Sequence, residues 1–263
     1  MRSELIPLPD DETTTPDQAR TRLLPKEDAR HLPPGSQHYT AYVGPPGEYD
    51  FMGATQFRLL CSLGLRESHR LLDLGCGSLR AGRLFIPYLA PGHYYGLEPN
   101  RWLVEDALEN EVGRDAVRLK QPQFLHSEDF NCSAFGVQFD FILVQSILSH
   151  TAPDLAQHAL TSIGQALAPQ GVAAVTFQIG PADQADCTKT GWVYPDVVPY
   201  TPQLVADLVG RAGLVGRSLA WFHPRQVWHL LARDAALLPS DEQCEQLTGQ
   251  TLRNAPQDRK PPL

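Results

Sequence analysis

Three acidic residues stand beside apolar runs, at positions where the strands of a parallel sheet would meet a ligand. Asp73 lies in the first run and precedes the turn Gly75-Cys76-Gly77, Glu98 ends a second run, and Asp129 follows a third. Glycines lack the Cβ atoms that would keep backbone N–H groups away from a polar or anionic ligand. Carboxylates accept hydrogen bonds from hydroxyl and amino groups. The pattern therefore predicts a site for a polar small molecule.

The glycine turn distinguishes between classes of nucleotide site. A phosphate-binding P-loop needs Lys followed by Ser or Thr after its last glycine, and neither is present. The dinucleotide fingerprint needs a small residue three positions after Gly77, where this chain has Arg80. What remains is an acid-x-Gly-x-Gly turn that opens a helix.

This turn resembles the first motif of class I S-adenosylmethionine (SAM) dependent methyltransferases. Phe139-Asp140-Phe141-Ile142-Leu143-Val144-Gln145-Ser146 is similar to the fourth strand of that family, and the resemblance covers about residues 69–232. The chain looks most like bacterial members that modify sugars or secondary metabolites. The resemblance implies SAM as the methyl donor and S-adenosylhomocysteine (SAH) as the product. The cofactor contacts it implies are Asp73, Gly75, Cys76, Gly77, Arg80, Glu98, Asp129, Phe130 and Gln145.

Each of the charged contacts also has a plainer interpretation. Glu98 would bind the ribose hydroxyls of the cofactor, or it would cap the following helix. Asp129 would bind the adenine amino group with Phe130 on the ring, or it would be a solvated loop acid with Glu128 in its place. Arg80 would pair with a carboxylate of SAM or of the substrate, or it would be a surface residue of a helix.

Methyl transfer to oxygen or nitrogen often needs a base, and His150 is the best candidate because it follows the fourth apolar strand. The alternative is that His150 caps the next helix or hydrogen-bonds a loop. His223, at the turn of the final hairpin, is a weaker candidate. Aromatic residues are predicted to contact the substrate, with ordinary packing as the alternative; they are Tyr39 and Tyr49 before the fold, and Trp192 and Tyr194 after the fifth strand.

Composition and one motif restrict the substrate. The net charge of −8 argues against a broad nucleic-acid surface. Family members that act on nucleobase amino groups usually carry Asn or Asp, two prolines and an aromatic residue where this chain has Gln145-Ser146-Ile147-Leu148. No acidic residues follow the fourth strand, so no metal is expected.

We predict methyl transfer to a small molecule. The alternatives are a protein substrate, a non-catalytic SAM-binding partner, or a nicotinamide-linked oxidoreductase on the same scaffold.

Hydrophobic periodicity predicts the elements that position these residues. Strands are expected at residues 69–74, 93–97, 123–126, 139–144, 172–179, 214–222 and 227–231, with helices at 50–64, 79–89, 100–113, 151–167 and 201–213. Alternating strands and helices indicate an α/β fold with a mostly parallel sheet and helices on both faces. The last two strands have no helix between them and must form an antiparallel hairpin. The strand order 3-2-1-4-5-7-6 is what the resemblance implies.

The 263 residues are sufficient for one sizeable core with extensions. We predict a flexible arm at residues 1–36, a helical and aromatic lid at 37–68, the SAM-binding core at 69–233 and a polar tail at 234–263.

Five scattered cysteines without Cys-x-x-Cys spacing favour reduced thiols in a cytoplasm. No export signal or membrane-spanning run is evident, so no membrane association is expected. The oligomeric state is not determined by the sequence.

Overall fold

The computed structural model describes residues 16–185 and 187–247. The chain divides into two compact units, Met1–Tyr49 and Asp50–Leu263. The first unit contains α1 (Pro16–Arg22) and α2 (Tyr39–Tyr42), with short 3-10 helices at Asp28–His31 and Pro46–Glu48. Both α1 and the first 3-10 helix lie within the predicted arm, residues 1–36, whose flexibility stays a prediction. Residues 1–15 of that arm lie outside the described residues.

The second unit alternates strands with helices, as the hydrophobic pattern predicted. Its strands are β1 (Leu71–Leu74), β2 (Tyr94–Leu97), β3 (Gln123–Leu125), β4 (Phe139–Val144), β5 (Leu167–Phe177), β6 (Val215–Leu219) and β7 (Val227–Ala232). α3 (Tyr49–Ser62) begins at the last residue of the first unit and continues into the second. The other helices are α4 (Gly82–Tyr88), α5 (Arg101–Ala107), α6 (Arg114–Lys120), α7 (Pro153–Ala166), α8 (Pro202–Arg211) and α9 (Asp241–Gln246). Of the predicted polar tail, residues 248–263 lie outside the described residues.

The seven strands form one sheet in the order β3-β2-β1-β4-β5-β7-β6. This confirms the predicted fold class and strand order. β1 to β5 pair in parallel, whereas β7 is antiparallel to both β5 and β6. Because β7 alone reverses direction, the loop that joins β6 to β7 lies at the same edge of the sheet as the carboxyl ends of the other strands.

The sheet is buried on both faces, which is usual for a parallel sheet covered by helices. Successive residues of β4 show this arrangement. Ile142 and Val144 belong to one hydrophobic cluster, together with residues of α7 and α8. Phe141 and Leu143 belong to a second cluster, together with residues of α3 and α4. The rigid two-sided core holds the carboxyl edge of the sheet in place.

Local backbone chemistry moved several predicted boundaries. The helix expected from residue 79 begins at Gly82, because Leu79 has a positive φ of 54° that helical residues do not adopt. α7 begins after an N-cap at Ala152, while the Thr151 hydroxyl donates to the Leu148 carbonyl instead of capping the helix. β5 begins at Leu167, and its register with β4 shifts between Phe139 and Phe141. That irregularity accommodates Pro169-Gln170-Gly171, which lies between the predicted helix and the predicted strand.

Within residues 16–185 and 187–247, no helix combines the length and the apolar content needed to span a bilayer.

Candidate active site

The glycine turn follows β1 and is stabilised by the end of β2. In the parallel register Asp73 lies beside Gly96 and Leu74 beside Leu97. The Leu97 carbonyl accepts the N–H groups of Gly75, at 2.8 Å, and of Cys76, at 3.2 Å. Gly75 has a φ of +73°, and a Cβ there would collide with the Ile147 side chain. Glycine is therefore required at this position for both conformation and space.

Glu98 joins the glycine turn to the start of α5. Its Oε2 accepts the Gly77 N–H at 3.1 Å, and its Oε1 accepts the backbone and side-chain N–H groups of Asn100 at 2.9 and 2.8 Å. Asn100 occupies the N-cap position of α5, but its side chain makes no cap hydrogen bond. Burial raises the pKa of Glu98, and these hydrogen bonds oppose the increase. The carboxylate predicted to bind a ribose thus already organises the turn, with lone pairs left to accept more hydrogen bonds.

Asp73 is buried beneath the turn. The Tyr94 hydroxyl donates to Asp73 Oδ2 at 2.8 Å. Burial raises the pKa of this carboxyl to about 7, although the Tyr94 hydrogen bond and the nearby Arg80 charge both lower it. Arg80 therefore lies close to the buried acid. Its backbone carbonyl also faces α3, where a Cβ on Gly53 would collide with it.

The Cys76 thiol is buried, and a Cβ added to Gly96 would lie 2.8 Å from its Sγ. Burial raises the pKa of this thiol well above its usual value, with the charges of Asp73 and Glu98 adding to the effect. The side chain fills space between the turn and β2, so Cys76 can meet a ligand only through its backbone.

Asp129 lies in the exposed loop after β3, and its carboxylate faces its own loop. Oδ1 accepts from the Ser127 hydroxyl at 2.6 Å and from the Asn131 N–H at 3.1 Å, which lowers the pKa of Asp129. The neighbouring Phe130 is buried at a φ of +53°, with its ring centroid 5.2 Å from that of Trp192. This places the predicted adenine contact beside the loop predicted to contact substrate.

The segment after β4 lies across the sheet edge from the glycine turn. Gln145 is buried, and its Oε1 has no hydrogen-bond partner among the described residues. An unsatisfied buried acceptor of this kind is costly and indicates a place where a ligand donor is expected.

His150 ends the same segment and is partly exposed. Its Nδ1 lies 2.7 Å from the Asp196 carbonyl oxygen, so Nδ1 carries the proton and donates to that carbonyl. In the neutral imidazole the Nε2 lone pair then remains available as a base. The Tyr194 ring packs edge-on against the imidazole, with centroids 5.2 Å apart. His150 thus binds the loop after β5 and does not cap α7, whose N-cap is Ala152.

The loop after β5 carries the two exposed aromatic residues predicted to contact substrate. Trp192 is 40% exposed and Tyr194 is 55% exposed. Backbone hydrogen bonds attach this loop to the segment after β4, since the Val193 N–H donates to the His150 carbonyl at 2.9 Å and the Val198 N–H to the Ser149 carbonyl at 2.7 Å. The exposed rings are therefore held beside His150.

Tyr39 and Tyr49, the other predicted substrate contacts, belong to the first unit. Both are buried, and their ring centroids lie 6.0 Å apart in an edge-to-face arrangement. The Lys26 ammonium lies 5.0 Å from the Tyr49 ring centroid. Their contact with a substrate stays a prediction.

Sequence reasoning considered His223 only as a weaker candidate base and missed its partners. His223 Nε2 lies 3.2 Å from Ser146 Oγ, although the two residues are 77 positions apart. Ser146 in turn donates its N–H to the Thr176 hydroxyl at 2.8 Å, and Gln226 Nε2 donates to Ser149 Oγ at 3.1 Å. The predicted antiparallel hairpin could have indicated that His223 lies near the site, because an antiparallel β7 brings the β6–β7 loop to the ligand-bearing edge.

Comparison with known proteins identifies the domain to which the carboxyl edge of the sheet belongs. Residues 72–173 match the family described as "Methyltransferase domain". Residues 72–173 therefore form a methyltransferase domain, in a sheet with the class I strand order. Enzymes of this class take the methyl group from SAM, which is accordingly the cofactor of this domain.

Solved structures share the fold of the methyltransferase domain. Magnesium protoporphyrin IX methyltransferase (ChlM) from Synechocystis PCC 6803, with bound SAH, is 13% identical with a TM-score of 0.54, over 72% of this chain and 84% of its own. The glycopeptide N-methyltransferase MtfA, complexed with SAM, is 12% identical with a TM-score of 0.53, over 69% and 94%. An O-methyltransferase family protein from Burkholderia thailandensis is 14% identical with a TM-score of 0.51, over 75% and 60%.

Two of the predicted cofactor contacts of the methyltransferase domain touch each other directly. The carboxylate of Glu98 and the backbone of Gly77 meet at one point of the edge, and the Gln145 acceptor lies buried after β4. In the described ranges, 16–185 and 187–247, no group of three or more His, Cys, Asp and Glu side chains is arranged to bind a metal ion.

Proposed function

We propose that this domain transfers the methyl group of SAM to an oxygen or nitrogen atom of a small molecule, such as a sugar or a secondary metabolite, with His150 as the base. The hydrogen bond from His150 Nδ1 to the Asp196 carbonyl carries the proposal. It orients the imidazole with Nε2 as the free acceptor, at the sheet edge where the methyl donor binds in class I enzymes.

The residues of the glycine turn fit the cofactor role predicted for them. Glu98 would accept hydrogen bonds from the ribose hydroxyls while continuing to hold Gly77, because each carboxylate oxygen has two lone pairs. Phe130 would pack on the adenine ring, with Asp129 near the amino group, and Arg80 would pair with a carboxylate. When bound, SAM supplies a methyl group already activated by the sulfonium.

The chain's own contribution to the reaction is then alignment, exclusion of water and removal of one proton. His150 Nε2 would take the proton of the acceptor hydroxyl or amine as the new bond to carbon forms. Trp192 and Tyr194 would shield the acceptor from water, and their ring faces suit a cationic methyl donor. The structural neighbours that act on a porphyrin and a glycopeptide support a small-molecule acceptor.

His150→Gln tests this function. Loss of the base should slow methyl transfer about 10²–10⁴-fold, while SAH affinity stays unchanged. His31→Gln is the matched control, because His31 is an exposed histidine of the first unit. Transfer is measured with methyl-labelled SAM and a small-molecule extract, and binding is measured by calorimetry.

Two experimental outcomes would contradict the proposal. Equal transfer rates for wild type and His150→Gln would make His150 structural. Label that enters proteins and not the small-molecule fraction would identify a protein substrate.

A further inference from the structure

A hydrogen-bonded network crosses the carboxyl edge of the sheet behind the candidate base. It begins at Ser146, whose φ is +60° and whose N–H donates to Thr176 on β5. Ser146 Oγ meets His223 Nε2 at 3.2 Å. From the same loop as His223, Gln226 donates to Ser149, which directly precedes His150. The network therefore joins the segment after β4 to the β6–β7 loop.

The bonds of His223 determine which of its ring nitrogens carries a proton. Nδ1 accepts the backbone N–H groups of Arg225 at 3.2 Å and Gln226 at 2.9 Å, so its lone pair is in use. The neutral ring then carries its proton on Nε2, which donates to Ser146 Oγ. Burial first, and then the nearby charges of Arg80 and Arg225, lower the pKa of His223 to about 3. His223 is therefore a fixed donor at neutral pH and not a base.

This arrangement orients the Ser146 hydroxyl. Its backbone N–H is taken by Thr176, and one lone pair of its oxygen is taken by His223. The hydroxyl proton is left to donate, and Ser146 is partly exposed at the sheet edge. A ligand that binds there must present an oxygen that accepts.

The surrounding charge favours a negatively charged oxygen. Arg80 and Arg225 both lie near enough to His223 to disfavour its protonation. Arg225 is exposed and makes no ion pair within the described part of the chain, residues 16–185 and 187–247. A carboxylate gains more than a neutral carbonyl from a hydroxyl donor beside a guanidinium.

We propose that Ser146, oriented by His223, donates a hydrogen bond to a carboxylate of the methyl acceptor, with Arg225 supplying the charge. The inference rests on the proposed small-molecule function and adds to it a substrate class, an acid. His223 is here a positioning residue, because it acts through Ser146. The exposed rings of Trp192 and Tyr194 suit an aromatic acid, which defines the probes.

The test compares 4-hydroxybenzoate with 4-hydroxybenzamide, which differ in the charge of one group. Binding of each to the full chain saturated with SAH is measured by calorimetry. We expect the acid to bind about tenfold more tightly than the amide, equivalent to about 1.4 kcal/mol. Ser146→Ala and Arg225→Gln should each reduce this preference at least threefold.

Two substitutions of His223 separate positioning of Ser146 from support of the loop. His223→Gln keeps a donor that can reach Ser146, whereas His223→Asn keeps an acceptor for the N–H groups of Arg225 and Gln226 but loses that donor. We expect the preference for the acid to survive in His223→Gln and to disappear in His223→Asn, with thermal unfolding confirming that both variants fold. In the double variant with Ser146→Ala, His223→Asn should add no further loss.

Several outcomes would overturn the inference. The acid does not bind, or the acid and the amide bind equally well, or Ser146→Ala leaves the preference for the acid unchanged. Weaker SAH affinity in Ser146→Ala would also overturn it, because the Ser146 hydroxyl would then bind the cofactor. Transfer to neutral small molecules without a preference for acids would overturn this inference alone. Absence of any methylated small molecule would overturn the proposed function, even if the acid binds.

Discussion

At the scale of single residues, Glu98 connects cofactor chemistry with the conformation of the backbone. One carboxylate accepts the Gly77 N–H and both N–H groups of Asn100, and it remains largely buried. A buried carboxylate is tolerated because these donors compensate for lost hydration. The same hydrogen bonds orient Glu98 before a ligand arrives, which reduces the entropy lost on binding.

Replacement of Glu98 separates these two contributions. Glu98→Ala should weaken SAH binding of the order of 10–100-fold, because it removes the acceptor for the ribose and leaves the Gly77 N–H unpaired. Glu98→Gln retains one acceptor oxygen and should lose less. Calorimetric titration with SAH measures both, and Glu128→Ala, an exposed acid of a neighbouring loop, is the control. Unchanged affinity in a folded Glu98→Ala protein would refute the cofactor role.

At the scale of elements, α3 packs closely on the glycine turn because Gly53 has no side chain. A Cβ at Gly53 would collide with the Arg80 carbonyl, which is backbone and cannot rotate away. The same helix accepts a hydrogen bond at the Thr55 carbonyl from the Trp221 indole at 3.2 Å. α3 therefore links the glycine turn to the loop that carries His223.

Gly53→Ala should force α3 away from the turn. We expect a loss of about 1–3 kcal/mol in the free energy of unfolding, which is typical of overpacking, together with weaker SAH binding. Chemical denaturation and calorimetry measure the two effects. A variant with wild-type stability would show that the close approach does not matter.

Gly210→Ala is the matched glycine substitution, and its effect should have the opposite sign. Gly210 lies exposed in α8, and a Cβ there would meet nothing within 4 Å. Alanine restricts the unfolded chain more than glycine does, so the free energy of unfolding should rise by about 0.5–1 kcal/mol. The same denaturation experiment measures it, and a loss of stability would contradict this account.

At the scale of the whole molecule, two ionisable groups make the stability respond to pH in opposite directions. The pKa of Asp73 is raised from 3.8 to about 7, so the stability it supports is complete below pH 3.8 and is lost as pH rises from there to about 7. The pKa of His223 is lowered to about 3, so the stability that depends on its neutral form is lost as pH falls below 6.5. Over the acid range the two effects oppose each other in the wild-type protein.

Asp73→Asn isolates one of the two effects. Relative to this variant, the wild-type free energy of unfolding should fall as pH rises from about 4 to 7, by up to about 4 kcal/mol. The difference arises because the unfolded carboxyl ionises near pH 3.8 while the buried one stays protonated until about 7. Denaturation of both proteins across this range measures it. A difference independent of pH would mean that Asp73 is ionised in the folded protein throughout.

Much of the fold was predictable because local patterns carry it. Apolar runs predicted all seven strands, and β4 has the predicted bounds, Phe139–Val144. The positions of Asp73, Gly75 and Glu98 indicated a ligand-binding edge, since a short turn after a buried strand needs glycine and an acid at a strand end is available to a ligand. The strand order came from the family resemblance, because periodicity alone does not state which strands are neighbours.

Only the tertiary structure decided which distant residues meet at that edge. His223 lies beside Ser146 because β7 runs antiparallel to β5 and returns the β6–β7 loop to the site. His150 donates to the Asp196 carbonyl, 46 residues away, because the loop after β5 folds back over the segment after β4. Each of these contacts depends on where two loops end in space. The sequence determined which groups this methyltransferase domain has, and the folding of the loops at the sheet edge determined which nitrogen of His150 and of His223 carries a proton.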